Sequence, residues 1–252
     1  MAKKTKGKRK NKYNIGITVA IAIAAALALG AGIWLAVTLL NGSEGPDETD
    51  TADRTEEEKV TVELVETDEI ALGDGLVITD VGRYSGMFFE DGSDEIVQNV
   101  LMIVVKNTGK TDLQYTEITL HTEKGDGNFK LSTLPAGESA VVLEADRMQY
   151  VNGKYTAENK STVFFENGLE KYEDVFDASG LSGMLNVKNI SDKDISGKIY
   201  IYYKNAATDI YYGGITYRAT VDGLKAGELR QVVAKHFNPG QSEILFITYS
   251  QE

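Results

Sequence analysis

Ile15 to Leu40 is a run of 26 residues with no charged side chain, and 12 of them are Ile, Leu or Val. As a helix rising ~1.5 Å per residue it covers roughly 39 Å, enough to cross a ~30 Å hydrocarbon core with some tilt. The run continues through Ile33, Trp34, Leu35, Val37, Leu39 and Leu40, too far for the core of a cleaved signal peptide, even though Ala24-Ala25-Ala26 and Ala26-Leu27-Ala28 offer small-residue sites. The sequence therefore predicts an uncleaved transmembrane helix over 13–40, with Tyr13 and Trp34 near the interfaces. Within it Gly16, Ala20, Ala24, Ala28, Gly32 and Ala36 recur every fourth residue. Small residues at that spacing let helix backbones approach, so this stripe is the candidate helix–helix contact.

Charge sets the orientation. Residues 1–12 carry +7 and no acid, whereas the whole chain is −12, which leaves −19 for residues 41–252. Basic residues beside a span stay in the cytoplasm, so 1–12 reads as a cytoplasmic tail and everything after Leu40 as extracytoplasmic. An acidic ectodomain is repelled by phosphates, which argues against a nucleic-acid partner. The chain has no cysteine. It can therefore carry neither disulfides nor an N-terminal lipoprotein anchor, and its outer part must be held by a hydrophobic core. These features point to the envelope of a Gram-positive bacterium.

Residues 41–59 hold eight acidic and two basic residues and no Val, Leu or Ile. Such a stretch cannot bury enough apolar surface to offset the entropy of ordering, and it reads as a disordered acidic linker. From Val60 the pattern changes to short β-branched and aromatic runs punctuated by Gly, Asn and Asp. Strands are expected at Val60–Glu66, Leu76–Val81, Val97–Lys106, Tyr115–Thr122, Phe129–Thr133, Ser139–Glu144, Thr162–Phe165, Met184–Lys188, Lys198–Lys204, Tyr212–Val221, Leu229–Val233 and Glu243–Tyr249. No helical period lasts ten residues outside the apolar run.

Two motifs recur. Val105-Lys106-Asn107-Thr108-Gly109-Lys110-Thr111-Asp112-Leu113 matches Val187-Lys188-Asn189-Ile190-Ser191-Asp192-Lys193-Asp194-Ile195, and Leu134-Pro135-Ala136-Gly137-Glu138 matches Leu224-Lys225-Ala226-Gly227-Glu228. The first is a core strand entering a polar turn, and the second a tight glycine turn feeding another strand. Neither offers chemistry, so the repeat speaks for duplicated structure, with modules at 60–168 and 169–252. The arrangement resembles the bacterial extracytoplasmic Ig-like modules of the FxLYD and CARDB type. That resemblance implies an all-β fold of two tandem Ig-like β-sandwiches preceded by the transmembrane helix, and a non-catalytic role in the cell envelope.

Chemistry is sparse. His121 is expected to point outward from its strand, and His236 lies near the Asn238-Pro239-Gly240 turn without metal-ligand spacing. No nucleophile elbow or phosphate loop is present. No catalytic residue, cofactor site or metal site is therefore assigned. Glu90-Asp91-Gly92-Ser93-Asp94-Glu95 is rich in oxygen but lacks EF-hand spacing; it reads as a solvated hairpin, with calcium as the other possibility. Alternation along the strands puts Ile199, Ile201 and Tyr203 inward, with Ile215, Tyr217, Ala219 and Val221. The opposite face would gather Lys198, Tyr200, Tyr202, Lys204, Tyr212 and Arg218. Tyr and Arg are favoured at interface hot spots, and a basic patch stands out on an acidic chain, so this is the candidate partner-binding face. The expected function is binding or adhesion to a protein or wall polymer; the second reading is an accessory subunit of a membrane complex that associates through its helix.

Overall fold

The computed structural model describes residues 61–65, 67–207 and 210–250. The expected tail, transmembrane helix and acidic linker, with the stripe from Gly16 to Ala36, lie outside the described residues. Among the described residues no helix is long and apolar enough to cross a membrane.

The described chain is all-β, with 14 strands. They are β1 Thr61–Val65, β2 Ile70–Gly73, β3 Leu76–Met87, β4 Ile96–Asn107, β5 Leu113–Thr122, β6 Gly125–Leu134, β7 Ser139–Leu143, β8 Thr156–Phe164, β9 Phe176–Leu181, β10 Met184–Asn189, β11 Ile195–Ala207, β12 Ile210–Leu224, β13 Leu229–Val233 and β14 Ser242–Tyr249. Every expected strand is present. The additions are β2, a four-residue arm on β3, and β9, whose Phe-Asp-Ala-Ser-Gly-Leu carries little β-propensity. β9 forms because its glycine is useful: a Cβ on Gly180 would fall 1.8 Å from the Phe237 ring, so the ring packs directly on the strand backbone.

The strands form three sheets. A three-stranded sheet, β6-β5-β8, packs over β3, β4 and β7 through Ile118, Leu120, Phe129 and Leu131 against Ile78, Val81, Leu101 and Ile103. Another, β13-β10-β9, packs over β12, β11 and β14 through Leu185 and Val187 against Ile199, Ile201, Ala219 and Val221. Both arrangements are consistent with sandwich packing. β3-β4-β7 and β12-β11-β14 are not separate, however. They are parts of one eight-stranded sheet, β1-β3-β4-β7-β12-β11-β14 with β2 beside β3, joined where β7 and β12 run parallel with Ala140 opposite Tyr211 and Val141 opposite Tyr212.

This join explains the apolar run in β4. Leu101, Met102, Ile103, Val104 and Val105 are all at most 2% exposed, so both faces of the strand are covered. Odd positions face the β6-β5-β8 sheet. Met102 and Val104 face a second cluster of Tyr84, Phe88, Phe89, Val141 and Leu143, which is closed by Ala207, Ile210 and Tyr212 from the far half of the chain.

The repeated motifs are equivalent atom for atom. Asn107 is fully buried; its Nδ2 donates to the carbonyls of Thr111 (3.0 Å) and Leu134 (3.1 Å), and its Oδ1 accepts from the Gly109 amide (3.0 Å). Asn189 does the same with Lys193 (2.7 Å), Leu224 (3.2 Å) and the Ser191 amide (3.0 Å). Asp112 caps the Ala136 amide and Asp194 the Ala226 amide, at 2.9 and 2.8 Å. Each Asn thus ties a strand end to its own turn and to the end of a distant strand.

Replacing either Asn with Ala would strand two buried carbonyls. We expect Asn107→Ala and Asn189→Ala each to cost about 2–3 kcal/mol, measured by urea unfolding. A loss below about 0.5 kcal/mol, the range of ordinary surface changes, would show that the turns hold without them.

Candidate functional site

The candidate face lies on β11, β12 and β14. β11 pairs with β12 antiparallel, with Lys198 opposite Asp222, Tyr200 opposite Thr220 and Tyr202 opposite Arg218. β14 completes it, with Thr248 beside Tyr200 and Phe246 beside Tyr202. Inward placement holds as expected for Ile199, Ile201, Tyr203, Ala219 and Val221, all buried, with Tyr217 packed against them. On the opposite side Lys198 and Arg218 are exposed and Tyr200 is half-buried. The Arg218 guanidinium lies 5.0 Å from the centre of the Tyr200 ring, a cation–π contact that holds both in place.

The face stops there, and three of the expected residues do not extend it as free surface. Tyr202 is half-buried and stacks on Phe246 with ring centroids 4.2 Å apart. Phe246 in turn meets Phe165 edge to face at 5.3 Å. Lys204 shares the parity of Tyr200 but is 0% exposed, because β6 covers the strand at that point. Tyr212 is 6% exposed and packs edge-on to Phe89. The reason is a register jump: Tyr203 pairs with Tyr217, but Asn205 pairs with Tyr212, so the extra residues around Gly213-Gly214 break the alternation. What remains of the candidate face is the exposed Lys198 and Arg218 with the half-buried Tyr200, bordered by Tyr202, Thr220 and Thr248.

Lys204 belongs to a buried polar knot instead. Its Nζ donates to the carbonyls of Ser132 (2.7 Å), Thr133 (3.5 Å) and Gly214 (3.4 Å). Glu90 approaches the same glycine from the other side and accepts from the amides of Gly214 (2.6 Å) and Leu143 (2.8 Å). Ser132 and Thr216 bond to each other at 3.0 Å and close the ring. Gly214 has no room for a side chain, since a Cβ would lie 1.9 Å from the Lys130 carbonyl. Burial raises the Glu90 carboxyl to about 7, against the pull of the Leu143 and Gly214 amides and of Lys204. Burial likewise lowers the Lys204 ammonium to about 7, with Glu90 opposing. A sequence pattern has no signal for this pair, because the residues are far apart in the chain and only the β7–β12 join brings them together.

The acidic loop 90–95 is engaged with cations of this chain. Arg147 pairs with Asp91 (2.9 Å) and Glu95 (2.6 Å) while its guanidinium lies 4.7 Å from the Phe88 ring centre. Lys235 and His236 both reach Asp94, at 3.0 and 3.5 Å, and His236 stacks on Tyr217 at 4.6 Å. The hairpin is thus a clasp between the two halves. Among the described residues no group of three His, Asp or Glu is placed to hold a metal. His121 sits on β5 and meets Asp126 at 2.8 Å. A shallow cleft of about 300 Å³ lies between Glu63, Val65, Arg83, Tyr150 and Asn152, where Arg83 and Glu63 are paired to each other.

No protein-family model matches the chain, and no curated protein matches it in sequence.

The buried pair carries a pH signature. For Glu90 the folded-state value lies above the ordinary 4.5, so its contribution is intact below 4.5 and is lost as pH rises towards 7. For Lys204 it lies below the ordinary 10.5, so its contribution is intact above 10.5 and is lost as pH falls towards 7. The two losses meet near neutrality. We expect the stability of the Glu90→Gln/Lys204→Met variant, relative to the wild type, to peak near pH 7 and to decline towards pH 5 and pH 10. Urea titrations across that range check it, and a flat difference would mean the two groups do not titrate as buried charges.

Proposed function

We propose that this chain is a membrane-anchored, extracytoplasmic, non-catalytic binding protein of the cell envelope, with two Ig-like β-sandwiches displayed on an acidic stalk. It recognises a protein or a wall polymer. The observation that carries this reading is the ordered Tyr200–Arg218 pair, flanked by Lys198, on the outer face of β11 and β12. A guanidinium held over an aromatic ring is a preorganised contact, and its positive charge stands out on a chain of net −12. The anchor and its orientation rest on the apolar run from Ile15 to Leu40 and the basic residues before it. The every-fourth-residue row from Gly16 to Ala36 supports a second reading, an accessory subunit of a membrane complex that packs through its helix.

The full chain bearing Tyr200→Ala and Arg218→Ala tests the first reading. Captured envelope proteins and sedimentation with purified wall material are the readouts. We expect a loss of at least about 2 kcal/mol in binding, roughly thirtyfold. Stability should change by no more than about 1 kcal/mol per site, since Arg218 is exposed and Tyr200 half-buried and each loses one cation–π contact. A variant that folds and still captures every wild-type partner removes this face from consideration. If capture instead survives deletion of residues 60–252, the helix reading replaces it. A C-terminal tag should be digested by protease added to intact, wall-stripped cells; protection until permeabilisation would reverse the orientation.

A further inference from the structure

The edge strands of these sheets expose backbone donors and acceptors, and proteins that remain apart guard such edges with charge. Glu63 stands on β1, Asp126 and Lys130 on β6, Glu158 and Lys160 on β8, Asp177 on β9 and Glu243 on β14. β2, four residues long, is an uncharged edge; β13 is also an edge, its one charge, Arg230, is paired with Glu228 of the same chain, and its outward row is Leu229, Gln231 and Val233, without a charge. Leu229 is 60% exposed and Val233 73%. The apolar surface continues across the sheet, because Val233 lies opposite Met184 and Met184 opposite Leu181, itself 49% exposed.

The backbone of β13 is unsatisfied on the same residues. At one end Asn189 donates to the Glu228 carbonyl (2.9 Å), and at the other Ala234 donates to Gly183 (2.8 Å). Antiparallel pairing alternates, so Arg230 and Val232 bond towards β10. The amides and carbonyls of Leu229, Gln231 and Val233 point off the edge.

We propose that β13 pairs with β13 of a second copy of this chain, antiparallel, about a two-fold axis at Gln231. The strand is self-complementary in that arrangement. Leu229 meets Val233 of the second copy, Gln231 meets Gln231, and the free backbone groups on each side fall opposite one another. Charge selects the same place. A chain of net −12 repels its own copy over most of its surface, whereas here Glu228 is neutralised by Arg230 of the same chain and the outer row is neutral. The pairing would join two three-stranded sheets into one of six strands, an isologous contact that closes at the dimer.

The absence of cysteine makes the test direct. A bonded antiparallel pair sets Cα atoms ~5.5 Å apart, inside the ~4.4–6.8 Å range of disulfides. Full-length chain in detergent, carrying Gln231→Cys, is oxidised with copper phenanthroline and run on a non-reducing gel. Thr220→Cys, which is exposed on β12, is the reference, because it shares the apolar segment 15–40 and any association through it. The expected result is a covalent dimer formed about tenfold faster at Gln231 than at Thr220, as an effective-concentration gain requires. Adding Leu229→Lys and Val233→Lys should remove that excess without lowering the melting temperature. Equal rates at the two positions overturn the proposal, as does an excess that survives the lysines. Faster cross-linking at Met184→Cys than at Gln231→Cys would mean the sheets meet face to face and not edge to edge.

Discussion

Everything in this fold turns on the place where β7 meets β12. The contact is short, two residue pairs in parallel register, yet it carries a lysine with no exposed surface and a carboxylate pulled in from the β3–β4 loop. Desolvating two charges is costly, and their attraction returns that cost only with good geometry. Here the geometry comes mostly from backbone: Gly214 gives its amide to Glu90 and its carbonyl to Lys204. One peptide group therefore serves both charges, and the glycine's missing side chain is the condition for either to reach it. Apolar clusters flank the knot, and with Lys204 fully buried the loss of a partner would leave its ammonium desolvated.

The geometry shared by Asn107 and Asn189 does a different job. Each uses both ends of its amide to pin a turn, and each reaches across to the end of a strand more than twenty residues away in sequence. These are local locks, satisfied within one half of the chain. The β7–β12 knot and the Asp94–Lys235 clasp bond one half to the other. Stability inside a half and attachment of one half to the other thus depend on separate residues.

How far the sequence could be read follows from where the information lies. β-branched alternation located the core strands because it records burial by a strand's own sandwich, as at Val105 and Val187. The repeated Asn turns were visible because the motif recurs along the chain and part of each Asn's bonding closes within four residues. β9 was not, since its strand is made by Phe237 lying on Gly180 and nothing in Ala-Ser-Gly announces that. Of the candidate face, Lys198, Tyr200 and Arg218 were placed correctly by period-2 reasoning. Lys204 was lost although its parity was right, because alternation says which side a residue takes and not what lies over that side. Tyr212 was lost to the register jump at Gly213-Gly214, which the two glycines hinted at but did not determine.

The second apolar cluster has an implication for the order of synthesis. Tyr84, Phe88, Met102, Val104 and Val141 are translated well before Ala207, Ile210 and Tyr212, which close over them. While the chain is emerging, a face of the first sheet stays bare until the hairpin of β11 and β12 arrives. The early half thus carries a bare apolar side until the later half is made.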